Sequence, residues 1–133
     1  MSYSKKYVPD SLSESDKKKQ IKSIKEKTIR PKLNSFESKR SPWVIKFEKR
    51  YGYKINEFSK INKELLTFTG INKILDKGRG AYFSSGSRPN QTPESWALAR
   101  LASALMFGKS ARIDKDILIK HGRPDIKEKA LKL

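Results

Sequence analysis

One stretch carries apolar residues at helical spacing more clearly than any other. Leu98, Leu101, Ala102 and Leu105 form a stripe, and Trp96, Ala99, Met106 and Phe107 leave little polar surface on the remaining faces. Arg100 is the only charged side chain between Ser95 and Gly108. A helix that is apolar nearly all round is a buried helix, and one of about 15 residues is too short to span a bilayer. Its ends are marked: Thr92 suits the cap, Pro93 the first helical position, and Gly108 a left-handed closure. The spacing therefore predicts a central core helix.

A second helix is predicted from Ser41, with Pro42 at its first position and Gly52 at its end. Trp43, Phe47 and Tyr51 fall on one stripe there, and Lys46, Lys49 and Arg50 on other faces. Interleaved aromatic and basic residues can stack bases and neutralise phosphates. A single aromatic stripe is more simply the core face of an amphipathic helix. Between Tyr53 and Thr67 the apolar positions suit a helix less cleanly. Thr69 then suits the cap of a short helix with Ile71, Ile74 and Leu75 inward and Gly78 at its end. Asp114 suits the cap of a last short helix carrying Ile117 and Leu118, stopped by Gly122 and Pro124. Trp43, Phe47, Ile74, Leu98, Leu101 and Leu105 are the expected core.

The ends of the chain pattern differently. Ser11 with Glu14 matches a capping box, and a helix from there to about Lys27 is predicted, but only Ile21 and Ile24 give it an apolar face. Thr28–Arg40 has no apolar period, and neither has Arg123–Leu133. The expectation is a mainly α protein: a small helical core over residues 41–122, an extended basic N-terminal arm and linker over 1–40, and a basic C-terminal tail over 123–133. Low hydrophobicity with high charge predicts that the N-terminal arm is mobile until a partner orders it.

Charge sharpens this picture. The chain has 133 residues, with 31 Lys and Arg against 14 Asp and Glu, a net charge of +17. Residues 1–40 hold 12 basic and 5 acidic side chains and 109–133 hold 8 and 4, whereas 78–108 hold 3 and 1. Such a field attracts polyanions by counterion release whatever fold carries it. Lys17, Lys18, Lys19, Lys22, Arg30, Lys39 and Arg40 are the candidate contacts to nucleic acid or to an acidic surface. With no Cys and one His, disulfides are excluded and a transition-metal site is not expected. Met1–Lys18 lacks the apolar region of a secretory signal, and no apolar run reaches spanning length.

Candidate chemistry concentrates in Gly78–Gln91, just before the central helix. Arg79, Ser84, Ser85, Ser87 and Arg88 supply hydroxyls and guanidinium groups, and Thr92 opens the helix whose N–H groups and dipole favour an anion. The same residues also read as plain architecture, glycines for turns and serines for buried backbone, and the pattern leaves both readings open. Gly78-Arg79-Gly80 lacks the strand–helix frame of a nucleotide site, and there is no Walker-type lysine. The serines have no placed base, because His121 lies in the basic C-terminal segment and Glu94 suits its own helix N-terminus. No catalytic residue, metal, cofactor or small-molecule substrate is therefore expected.

The run Gly78-Arg79-Gly80-Ala81-Tyr82-Phe83-Ser84-Ser85-Gly86-Ser87-Arg88-Pro89-Asn90-Gln91-Thr92-Pro93, followed by Trp96, Ala99-Arg100-Leu101 and Gly108, resembles a family of small basic proteins. Large double-stranded DNA viruses of algae and protists, and some tailed phages, encode them. Tyr7-Val8-Pro9, the lysine run Lys17-Lys18-Lys19 and Lys39-Arg40-Ser41-Pro42-Trp43 are also similar to it. The resemblance brings no mechanism. It implies a viral setting: a minor capsid or virion-associated cement protein, found in the virion and, during assembly, in the host cell interior. Its partners would be capsid or other virion proteins. The alternative is a protein that binds DNA or RNA through sequence-independent phosphate contacts, for genome condensation, replication or transcription.

Overall fold

The computed structural model describes residues 3–36 and 40–133. It is mainly α, with eight helices and no strand among those residues. They are α1 (Glu14–Glu26), α2 (Pro42–Tyr51), α3 (Phe58–Glu64), α4 (Phe68–Ser84), α5 (Pro93–Leu105), α6 (Lys109–Ile113), α7 (Lys115–His121) and α8 (Pro124–Leu131). The chain forms two compact units whose borders differ from those the charge pattern suggests. The first joins the N-terminal segment, through residue 39, to Arg79–Trp96; the second joins Arg40–Gly78 to Ala97–Leu133.

The second unit holds the apolar core. Phe47, Ile61, Leu66, Ile74, Leu101 and Leu118 are fully enclosed there. Of the expected core residues, Phe47, Ile74, Leu101 and Leu105 are buried, and Trp43 and Leu98 pack against the cluster half-buried. α2 has the predicted ends: Ser41 Oγ accepts from the Trp43 N–H at 3.2 Å, and Gly52 is left-handed at φ 76°. The segment after Arg123 is no loose tail. Ile126 and Ala130 of α8 are buried, the Arg123 N–H donates to Leu65 O at 2.8 Å, and the Arg123 guanidinium donates to Asn62 O. Two apolar positions four apart suffice to seat α8, too short a pattern to read in advance.

Two glycines do unexpected work in this unit. Gly78 does not end α4, which runs on through Arg79 and Gly80 to Ser84. A Cβ at Gly78 would lie 2.7 Å from the Cα of Ala97, so its absence lets another backbone come close. Gly108 is not the left-handed closure of α5. Phe107 takes that conformation at φ 56°, and the Gly108 N–H donates to Ser103 O at 2.7 Å, a Schellman arrangement. Gly108 itself sits at φ −82°, and a Cβ there would strike the Trp43 ring at 2.5 Å.

The first unit is built on other terms. Its buried apolar side chains are few, Leu12, Leu33 and Tyr82 among them. α1 starts two residues later than expected, with Ser13 Oγ accepting from the Asp16 N–H at 3.1 Å. Its enclosed face is not the Ile21–Ile24 pair, which is half-buried, but Asp16, Gln20 and Ser23. Gln20 Nε2 donates to Tyr7 O at 2.9 Å and to Ser87 O at 3.0 Å. Asp16 Oδ2 accepts from the Ser35 hydroxyl at 2.5 Å and the Ser35 N–H at 3.1 Å. Residues 14–26, expected in a mobile arm, thus form a helix packed through polar side chains.

Candidate functional site

The serine- and arginine-bearing stretch before α5 splits into two parts. Up to Ser84 it is the last turns of α4. Arg79 on that helix meets Glu94 in a two-point pair, Nε–Oε1 at 2.6 Å and the second nitrogen to Oε2 at 3.1 Å. Arg79 holds the Glu94 carboxyl below the usual range for a glutamate. Ser84 Oγ donates back to Gly80 O at 2.8 Å, an intrahelical bond, and Ser85 is exposed. Beyond the helix, Ser87 is fully buried, its hydroxyl donating to Arg88 O at 3.1 Å. Arg88 points to solvent, and its side chain makes no hydrogen bond or ion pair among the described residues.

The start of α5 satisfies itself. Thr92 Oγ1 accepts from the Ser95 N–H at 3.0 Å, Ser95 Oγ accepts from the Thr92 N–H at 3.0 Å, and Pro93 has no N–H to offer. This is a capping box closed by serine. A cavity of about 570 Å³ lies beside it, lined by Arg30, Lys32, Asn34, Phe36, Asn90 and Thr92 among others. Its arginine is committed elsewhere. The Arg30 guanidinium is buried and donates to Ser23 O at 3.2 Å, to Tyr82 O at 2.6 Å and to Thr28 O, with the Tyr82 ring centroid 4.5 Å away. Burial pulls its pKa down. Arg30, grouped by sequence with the partner-binding cations, is an internal tie.

The other expected cations divide. Lys18, Lys19 and Lys22 are exposed on α1, Lys17 is half-buried and 3.4 Å from Glu14, and Arg40 pairs with Glu48 at 2.7 Å. Lys39 lies outside the described residues. Lys18, Lys22 and Lys25 stand at i, i+4 and i+7 and share one solvent face of α1.

The residues that sequence reasoning missed are polar and internal. Asn90 is left-handed at φ 61°; its Oδ1 accepts from the Leu33 N–H at 2.6 Å, and its Nδ2 donates to Leu33 O at 3.2 Å and Phe36 O at 3.0 Å. In the second unit, Asp114 is fully buried and takes a two-point pair from Arg100 at 2.8 and 3.1 Å, so its carboxylate does not cap α7. The one available signal was Asn90 in a Pro-Asn-Gln turn, since Asn tolerates left-handed backbone. His121 is pushed below its ordinary pKa, chiefly by burial and then by Lys120 and Lys73. Among the described residues no cluster of His, Asp or Glu is placed to hold a metal ion, and no helix is long and apolar enough to cross a membrane.

A family profile matches residues 6–120, and the chain belongs to that family, DUF5824, a family of unknown function. The matched span includes α1, the 79–96 stretch and most of the apolar core. Comparisons with curated proteins and with solved structures gave no match.

Proposed function

We propose that the protein is a non-catalytic docking component of a virus particle, a small basic scaffold that binds acidic surfaces of capsid or other virion proteins. The observation that carries this reading is where the cations stand. At +17, the chain spends a few of them on internal ties such as Arg30, Arg100 and Arg123 and presents lysines on the solvent faces of folded helices. The polar groups of the 79–92 stretch are largely consumed by the fold, which argues for scaffold there rather than chemistry. The viral setting rests on the resemblance of the 78–93 run to small basic viral proteins.

A second reading, sequence-independent nucleic-acid binding, is favoured by the Lys18–Lys22–Lys25 face, a row of charge with no base-reading geometry. Purified particles, opened stepwise, separate the two. Recovery with the shell proteins supports docking, and recovery with the genome supports the second reading. Absence from particles sinks the proposal. In vitro, binding to unrelated duplexes should be sequence-tolerant and fall steeply with salt.

A further inference from the structure

The second unit carries a groove, about 470 Å³ in volume, that the 78–93 run does not touch. Tyr51, Met106 and Phe107 give it an apolar floor, and Arg50, Lys129 and Lys132 stand at its rim. No acidic side chain lines it among the described residues. Glu128 lies beside Lys132 at 3.8 Å, with both side chains exposed. Phe107 is the residue that closes α5 in the left-handed conformation, at φ 56°. A bulky side chain there is a true outlier, and the usual occupant of that position is glycine. A strained backbone therefore holds an aromatic ring in the floor of a cation-rimmed groove.

We propose that this groove is where the protein grips its partner, and that the occupant is a short acidic protein segment with an aliphatic or aromatic side chain between carboxylates. The inference rests on the docking role proposed above and adds its recognition chemistry. Charge complementarity selects the carboxylates: Arg50, Lys129 and Lys132 line the groove, no acidic side chain lines it among the described residues, and Glu128 stands beside Lys132 only. The floor selects the apolar side chain, which the volume admits once or twice over. The aromatic rings disfavour a nucleobase, because stacking needs an open ring face. Lys129 Nζ lies 5.9 Å from the Phe107 ring centroid and Arg50 Cζ 5.5 Å from that of Tyr51, while Tyr51 also packs on Phe47 at 4.8 Å.

The test uses the full chain and a fluorescein-labelled peptide with a Leu-Phe pair between runs of Asp and Glu. Two probes accompany it: a peptide of equal charge with Ser-Ser in place of Leu-Phe, and a labelled single-stranded oligonucleotide. Wild type should bind the Leu-Phe peptide about tenfold more tightly than the Ser-Ser peptide. The exposed double variant R50E/K129E, with an unchanged circular dichroism spectrum, should lose at least about tenfold of that affinity. Phe107→Gly, which removes the ring and eases the backbone, should abolish the preference for Leu-Phe. Equal affinity for the two peptides overturns the proposal. So does an oligonucleotide that displaces the Leu-Phe peptide and is itself lost in R50E/K129E, which makes the groove a nucleic-acid site. If the peptide preference holds while the protein is absent from particles, the viral role has failed and the groove has not.

Discussion

The two units of this chain reach a folded state by opposite means. The second buries a continuous cluster in which Phe47, Ile61, Leu66, Ile74 and Leu101 are wholly enclosed. The first encloses Gln20, Ser87 and the Arg30 guanidinium, and ties its segments with bonds from those groups to backbone carbonyls. Apolar burial is tolerant: a side chain of about the right size in the right stripe suffices. Polar burial is not, because each donor or acceptor left without its partner keeps the full desolvation cost. The first unit therefore specifies its geometry tightly from little apolar surface, and a single lost partner harms it.

The largest effect should come from the apolar side of this contrast. Leu101→Ala removes a wholly enclosed side chain from the middle of α5 and should cost about 2–5 kcal/mol in chemical denaturation. A cost below about 1 kcal/mol would mean that the site collapses around the missing atoms and that the core is looser than its burial implies.

Next come the polar ties. Arg30→Ala leaves Tyr82 O without its guanidinium donor, while Ser23 O keeps the Thr28 N–H at 3.0 Å, and should cost about 1–3 kcal/mol. Arg30→Met keeps the bulk without the charge and sharpens the comparison. If it restores most of the loss, the arginine acts mainly by filling space, since a buried charge can be replaced by an apolar isostere at little cost. Asn90→Gly preserves the left-handed backbone while deleting three bonds to Leu33 and Phe36. It should destabilise by about 1–2 kcal/mol and raise amide exchange over 33–36 and 86–92. Unchanged exchange there would show that the first unit does not depend on its polar ties.

The same contrast explains what the sequence disclosed. Helix α5 was legible because Leu98, Leu101 and Leu105 repeat at helical spacing between Thr92 and Gly108, and α2 because Ser41, Pro42 and Gly52 bracket an aromatic stripe. α1 was legible as a helix and not as a packed one, since its enclosed positions are Asp16, Gln20 and Ser23, residues that periodicity counts as solvent-facing. Glycines misled in a consistent direction. Gly78 and Gly80 read as a loop and are helical, and Gly108 read as a backbone device but is small because Trp43 lies on it. Of the residues that carried the signal for a site, Arg79 and Thr92 are engaged by Glu94 and Ser95. The groove beside Phe107 could not be seen, because Arg50, Phe107 and Lys129 meet only after folding.

Acid should weaken the protein wherever folding lowers a pKa, and His121 is one such place. Burial, with Lys120 and Lys73, lowers the folded pKa of His121 below the unfolded value, so the unfolded chain takes up the proton first. Stability from this group is full above about pH 6.5 and declines as the pH falls through and below that value. His121→Gln should flatten that part of the pH–stability curve. Thr92→Ala, scored at constant pH, should cost about 1 kcal/mol through the lost cap.

The smallest effects are expected at the two arginines once assigned to an anion site. Arg88 is exposed, and Arg88→Ala should leave stability within about 0.5 kcal/mol. Arg79 is more engaged, but its pair with Glu94 is largely open to water, with the Glu94 side chain 64% exposed. Such pairs contribute about 0–1 kcal/mol, and Arg79→Ala should fall in that range. The pH dependence carries the decisive sign. Glu94 is depressed by Arg79, so the pair stabilises above the ordinary glutamate pKa and is lost as the pH falls through the lower folded value. The difference between wild type and Arg79→Ala should therefore shrink to nothing at low pH. A difference that persists after Glu94 is protonated would mean that Arg79 stabilises α4 through other contacts. A loss of partner binding in either variant, with melting unchanged, would return the 79–92 stretch to consideration as a docking surface.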